Sequence, residues 1–357
     1  MTRILVCLSV MLLMGSGIAS AQAELPKPTG DTIVSPDAKL ELLFTRTAQI
    51  KGGLTEGPAA GPDGCIYFSD IPFGSDKGLI MKFDPKTSKT SVFVADSMKS
   101  NGLKFNAHGK LTACEGSDEG GRAVVQYEMQ RDKPVREVLA DKYDGKKLNA
   151  PNDLVFDAKG RIYFSDPKYL GTEKRELEHR AVYRLDPADK SVVEITHEVE
   201  KPNGVALSPD GKTLYVADHN NGTDQIGSAE VVKPGAMKVY AFPLGIDGKV
   251  SGPRRTMLDF GKQAGCDGMT VDTKGNLYLA ARSLIRPGII VLNPEGKEVA
   301  FIPTGLSQPD GTKEPVGLPS NVAFGIGKEH HTLYITVDKS LYRIPVKAEG
   351  FQLPSAK

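Results

Sequence analysis

One phrase recurs along this chain and limits what it can fold into. It opens at Glu56, Asn101, Asn152, Asn203, Asp267 and Ser320. Each time an oxygen-bearing side chain precedes a small residue, a Pro or an Asp, and then an apolar strand. A turn rich in Asp, Gly or Lys and a second strand follow. Asn152-Asp153-Leu154-Val155-Phe156 leading to Ile162-Tyr163-Phe164-Ser165-Asp166 sets the pattern. Asn203-Gly204-Val205-Ala206-Leu207 leading to Leu214-Tyr215-Val216-Ala217-Asp218 repeats it. The openings lie 45 to 64 residues apart. Periods of that size, with several strands per unit, point to a β-propeller, whose blades carry four strands around a central channel. The remaining chain agrees. Short strands rich in Val, Ile, Tyr and Phe are divided by turns such as Pro62-Asp63-Gly64 and Pro209-Asp210-Gly211, and no long amphipathic helix interrupts them. Six openings imply an all-β, six-bladed propeller. The last opening leaves room for three strands only, over 321–326, 332–337 and 340–346. The alternating Leu40-Glu41-Leu42-Leu43-Phe44 precedes the first opening and lacks a blade. It is predicted to close the ring as the outer strand of the last blade. The chain contains no Trp, which argues against WD-type repeats.

The expected organisation is a signal peptide over 1–23, a Pro-rich polar linker over 24–38, the propeller over 39–346 and a C-terminal tail over 347–357. Arg3, the apolar run Ile4 to Met14 and small residues at Ala19-Ser20-Ala21 or Ala21-Gln22-Ala23 form the secretory pattern. The run is shorter than the ~20 residues a spanning helix needs. The mature protein is therefore expected to be secreted or periplasmic, free of the membrane after cleavage, and monomeric. With 45 basic and 44 acidic residues, net charge gives no reason to expect nucleic acid or an anionic surface as partner. Cys65, Cys114 and Cys266 would remain after cleavage, an odd number that argues against a full disulfide framework. Cys65 and Cys114 lie in strand patterns, as small buried apolar residues do; one bridge stays open.

In a blade the innermost strand comes first and neighbours run antiparallel. All six first strands then begin at one face of the disc, and second strands end there. Loops after Asp70, Glu115, Asp166, Asp218, Ala281 and Asp338 must surround the mouth, the longest being 167–181 and 219–236. The recurring oxygens would form a ring at that mouth. Taken singly, Asn-Gly, Asp-Gly and Asn-Asp are ordinary turn pairs, but recurrence at matching positions and a Glu at the first opening are not turn chemistry. Carboxylate and carboxamide oxygens suit one hard divalent cation, Ca²⁺ first, with Mg²⁺, Mn²⁺ or Zn²⁺ as alternatives. Glu56 and Asp267 would balance its charge, and Asn152 and Asn203 would add neutral oxygens. Ca²⁺ takes six to eight oxygens, so positions would stay open for water or substrate. Such a cation polarises a carbonyl and stabilises the oxyanion formed when water attacks.

The stretch from Asp141-Lys142-Tyr143-Asp144-Gly145 through Leu148-Asn149-Ala150-Pro151-Asn152-Asp153, then Ile162–Pro167 and Val182-Tyr183-Arg184-Leu185-Asp186-Pro187, resembles bacterial gluconolactonases. Pro202-Asn203-Gly204-Val205-Ala206-Leu207-Ser208-Pro209-Asp210 and Ala217-Asp218 continue the likeness. From about Leu54 to Pro345 the chain is similar to the gluconolactonase, regucalcin (senescence marker protein) and luciferin-regenerating-enzyme family of six-bladed propellers. The resemblance implies that Glu56, Asn203 and Asp267 are metal ligands, with Asp267 the general base, and that Asn152 binds metal or substrate. Asn101 in Asn-Gly-Leu and Cys114-Glu115 match the bacterial branch, which puts Asn101 at the substrate and Arg122, in Gly121-Arg122, as its guanidinium. The insertion Gly116–Gly120 and the long loop Asn220–Pro234 depart from that branch. Loop position adds Tyr169 and His219 as substrate-facing residues, His219 as an alternative base, and His179 as a further lid residue. The function implied is an exported, divalent-cation-dependent hydrolase that opens a sugar lactone. Alternatives are an esterase or phosphotriesterase on the same site, and a propeller that binds a sugar or other ligand without catalysis. No Gly-x-Ser-x-Gly elbow supports a serine nucleophile.

Overall fold

A computed structural model describes residues 24–47, 53–130, 133–312 and 316–353. They form six four-stranded antiparallel sheets, joined by a small two-stranded ribbon, Lys142–Tyr143 with Lys146–Lys147. The first strands of successive sheets are Leu54–Ala60, Ser100–Phe105, Leu154–Phe156, Pro202–Leu207, Cys266–Val271 and Pro319–Phe324. Each touches the first strands of the two neighbouring sheets, so the six close into a ring. The protein is a six-bladed β-propeller, and blades are numbered here in chain order. Glu41–Thr45 pairs with Ser340–Pro345 as the fourth strand of blade 6, closing the ring as the alternating pattern predicted.

The strand sequences explain how the blades stack. Successive residues of a strand point to opposite faces of its sheet, and a blade buries both faces. Second strands are therefore continuously apolar where an exposed sheet would alternate. Tyr67 packs toward blade 2, with Leu111 and Val125. Its neighbour Phe68 packs toward blade 6, with Tyr334 and Leu341. Tyr163 and Phe164 divide in the same way between blade 4 and blade 2. Among the described residues six apolar clusters result, one at each interface between adjacent blades. Each fully buried ring contributes about 2–3 kcal/mol through area removed from water.

One sequence expectation changes. Residues 24–38 are not a linker. Thr29 pairs with Phe301 on the outer strand of blade 5, and Ile33 and Val34 are buried between blades 5 and 6. Only two apolar residues in that polar stretch make the anchor, which is why composition missed it. The tail is also docked, since Glu349, Gly350 and Phe351 make backbone bonds to Thr273, His330 and Val271. The three cysteines Cys65, Cys114 and Cys266 are free and buried. The expected signal peptide, 1–23, lies outside the described residues.

Candidate active site

The recurring residues owe their orientation to a backbone irregularity. In five blades pairing between the first two strands shifts at this point: Glu56/Ala59, Ser100/Leu103, Pro202/Val205, Cys266/Met269 and Pro319/Asn321. In blade 3 the first strand begins only at Leu154, just after Asn152 and Asp153. Bulges of this kind re-aim side chains near functional sites. The Asn-Gly and Asp-Gly pairs are thus strand bulges and not turns. The glycines serve close approach between blades: a Cβ at Gly204 would lie 2.3 Å from the Asp267 carbonyl, and one at Gly268 would lie 2.0 Å from Asn321 Cγ.

Three carboxylates meet at the axis. Glu56, Asp153 and Asp267 are buried, at 3, 3 and 8% exposure. Burial holds the Glu56 carboxyl well above its usual range, with the charges of Asp267 and Asp153 adding to the effect. Asp267 is likewise raised by burial, against the opposing pull of Arg282, whose Nη1 lies 3.4 Å from Oδ2. Burial also raises Asp153, with Lys104 opposing. Two cations thus stand against three carboxylates, and Glu56 has neither as its direct partner. Glu56 accepts the Gly57 N–H at 2.8 Å. The Asn321 carboxamide favours the charged forms of both Glu56 and Asp153, and its Oδ1 accepts the Val322 N–H at 2.8 Å.

Asn203 joins this group beside Asp267, whose charged form its carboxamide favours. Its Nδ2 also donates to Tyr169 Oη at 3.1 Å, and Tyr169 Oη donates to the His219 carbonyl at 2.9 Å. His219 Nδ1 lies 3.0 Å from the Cys266 carbonyl. A carbonyl can only accept, so Nδ1 carries the proton and Nε2 keeps its lone pair. Burial, with Arg282 nearby, pushes the His219 imidazolium down to about 4. Asn101, Asn152 and Tyr169 line one small mouth cavity of about 40 Å³ together with Lys99, Ile71 and Leu170. Asn101 Oδ1 is buried without a hydrogen-bond partner.

Three sequence-derived placements need revision. Ser320 keeps the register of the other openings, but its hydroxyl donates to the Thr55 carbonyl of blade 1 at 2.6 Å; Asn321 contributes to the axial group in its stead. Arg122 does not line the mouth cavity. Its Nε bonds the Leu148 and Asn149 carbonyls at 2.8 and 3.0 Å, fastening the loop that leads to Asn152. His179 is exposed and stacks on His197 with ring centroids 4.3 Å apart. Sequence reasoning missed Asp153, Asn321 and Arg282 as members of the axial group.

The acids that end second strands hold this geometry in place. Asp166 accepts the N–H groups of Asn149 and Ala150 at 2.8 and 2.6 Å. Asp218 accepts those of Glu200 and Lys201, and Asp338 those of Gly317 and Leu318. Each fixes the approach to the next oxygen donor. Asp166→Ala is therefore expected to leave two buried N–H groups unpaired and to cost about 2 kcal/mol, read as a lower urea midpoint at unchanged slope. An unchanged midpoint would refute that role.

The oxygens present fit one hard cation. Among the described residues no three His, Cys, Asp or Glu side chains form a metal-holding group by themselves. The set here is mixed: Glu56 and Asp267 supply carboxylates and Asn203 a carboxamide, while Asn152, the fourth expected ligand, and Asn101, whose Oδ1 has no hydrogen-bond partner, line the mouth cavity. Buried carboxylates without matching cations are costly, and a divalent ion would offset that cost.

Residues 54–339 match the family described as SMP-30/Gluconolactonase/LRE-like region. The chain is 29% identical over 313 residues to the gluconolactonase of Zymomonas mobilis, covering 83% of this chain and 79% of that one. A solved gluconolactonase from Xanthomonas campestris superposes with a TM-score of 0.70 at 26% identity, covering 91% of this chain and 95% of the other. Regucalcin of Agrobacterium tumefaciens, a calcium-binding protein, shares the fold with a TM-score of 0.65 at 15% identity over 88 and 96% of the two chains.

Proposed function

This chain belongs to the SMP-30/gluconolactonase/LRE-like family, and from that premise we propose that it is a lactone hydrolase acting on a small sugar lactone with one divalent cation, Ca²⁺ first, at the axial carboxylates. The observation that carries the reading is the convergence of Glu56, Asp267 and Asn203, from blades 1, 5 and 4, beside a cavity lined by Asn101 and Asn152. Relatives named as gluconolactonases support the substrate class.

The reaction adds water across the ring ester. The water oxygen bonds to the carbonyl carbon and its proton passes to a base. The ring C–O bond then breaks, and the released alkoxide takes a proton to give the hydroxy acid. A bound cation would supply charge stabilisation for the carbonyl oxygen as it becomes an oxyanion. Asp267 is the base we assign. It is axial, beside Asn203, and its raised proton affinity is nearer the working pH than that of an ordinary Asp. His219 has a free Nε2, but burial makes it a weak base. Asn101 and Asn152 would orient the ring hydroxyls, and Tyr169 would hold the Asn203 amide. The sequence over 1–23 adds the expectation of export, checked by N-terminal sequencing of the mature protein; an intact Met1 would refute it.

A panel of sugar lactones with pH-indicator detection tests the proposal. Acid release is expected to stop with chelator and to return with added Ca²⁺. Activity indifferent to chelator would remove the cation. Saturable lactone binding without turnover would make the propeller a binding protein.

A further inference from the structure

The axial channel opens on the far face of the disc into a second, much larger cavity of about 1020 Å³ that shares no lining residue with the mouth. Every first strand contributes to its wall: Ala59, Lys104, Val155, Ala206, Thr270 and Ala323. The docked tail supplies another side. Phe351 packs on the cluster between blades 4 and 5, and Leu353 packs on that between blades 2 and 3, so the tail crosses part of the opening.

Small and apolar residues make most of this wall, with Lys104, Asn106, His108, Asp157, Thr270 and Gln352 as its polar members, and Lys104 is the one Lys or Arg among them. No hydrogen bond or ion pair to the Lys104 ammonium occurs among the described residues. The nearest charge influencing it is Asp153, which already accepts the Val205 N–H at 3.2 Å and whose charged form Asn321 favours. The other titratable groups lining the cavity are spoken for or peripheral: Asp157 pairs with Arg161 at 2.7 Å, and His108 sits in an exposed turn. Burial holds the Lys104 proton affinity below the usual lysine range. Lys104 is half-buried and has no protein partner among the described residues, so its three N–H donors face the cavity, where an anion can take the place of water. The volume is at the upper end of that of small-molecule sites, which combine apolar walls with a few placed polar groups.

We propose that the far-face cavity binds an organic monocarboxylate with an apolar body, its carboxylate on Lys104 and its hydrocarbon against Val155, Ala206, Ala323 and Phe351. The cavity shares no lining residue with the mouth, although Lys104 also acts on the axial Asp153, and the test uses no activity. Titration calorimetry with decanoate below its micelle concentration is expected to give saturable one-to-one binding. Lys104→Met weakens it by about 10-fold or more, the value of a charge-assisted hydrogen bond, and Lys104→Arg restores it. Decanol, with the same body and no charge, binds more weakly than decanoate to the wild type, a comparison that stands even if Lys104→Met does not fold. Gluconate, with the same head and a polar body, also binds more weakly. Absence of decanoate binding, equal affinity for decanol, or an unchanged affinity in a folded Lys104→Met protein would each overturn the assignment.

Discussion

Asp267→Asn is expected to give a folded protein whose kcat/KM for a sugar lactone is lower by about 10³, within the range lost when a positioned general base is removed. The substitution is isosteric. It keeps an oxygen for Asn203 and disturbs neither the Cys266 carbonyl nor the His219 ring that bonds it. It removes one negative charge from a group where Glu56, Asp153 and Asp267 press on one another. Proton acceptance and cation affinity should therefore fall together while the fold persists. Tyr169→Phe separates positioning from chemistry. It deletes the hydroxyl that bonds the Asn203 amide and the His219 carbonyl, so its effect should be about 10-fold, near the worth of one hydrogen bond. Steady-state kinetics on both variants, with circular dichroism as the folding control, decide the matter. Wild-type rates in Asp267→Asn would end its role as base. A larger loss in His219→Asn would move that role to the imidazole.

The fold was legible because six units must solve one packing problem. An apolar run such as Ile162-Tyr163-Phe164 buries both faces of a blade wherever it recurs, so the repeat is written in the sequence. Even the ring-closing strand showed itself as an alternating segment without a blade. Glu56, Asn101, Asn152, Asn203 and Asp267 stand out in the sequence for the same reason, since one position of the unit recurs, at a bulge in every blade but the third. Asp153 and Asn321 do not, because strand alternation places the side chain after an inward residue outward. Both residues take the slot that Gly holds in the other four openings; a register shift upsets the alternation at Asn321, and Asp153 precedes the first paired residue of its strand, Leu154. Arg282 carries no repeat signal at all: it follows Ala281, in the one blade whose second strand lacks an acid at its end. Residues 24–38 failed for a different reason. Their anchoring depends on Phe301 and on clusters hundreds of residues away, which local composition does not encode.

Glu56→Gln should separate stability from function in the opposite direction to most core substitutions. In cation-free protein, Glu56 is a buried carboxylate facing two others, without a cationic partner of its own. Gln keeps the shape and an oxygen for the Gly57 N–H while removing the charge. Relieving the desolvation and like-charge repulsion that raise the Glu56 proton affinity is expected to stabilise by about 1 kcal/mol or more. The variant is therefore expected to melt a few degrees above wild type in chelator. Adding Ca²⁺ reverses the order. Wild type gains stability as the ion binds the folded state alone, about 2.7 kcal/mol at a hundredfold excess over Kd. The variant, short of one anionic ligand, gains little and hydrolyses lactone poorly. Thermal melts of both proteins in chelator and in Ca²⁺ give the four values needed. A wild type indifferent to the ion, or a variant that melts lower than wild type in chelator, would mean that the axial carboxylates are held by contacts within the protein and have no need of a cation.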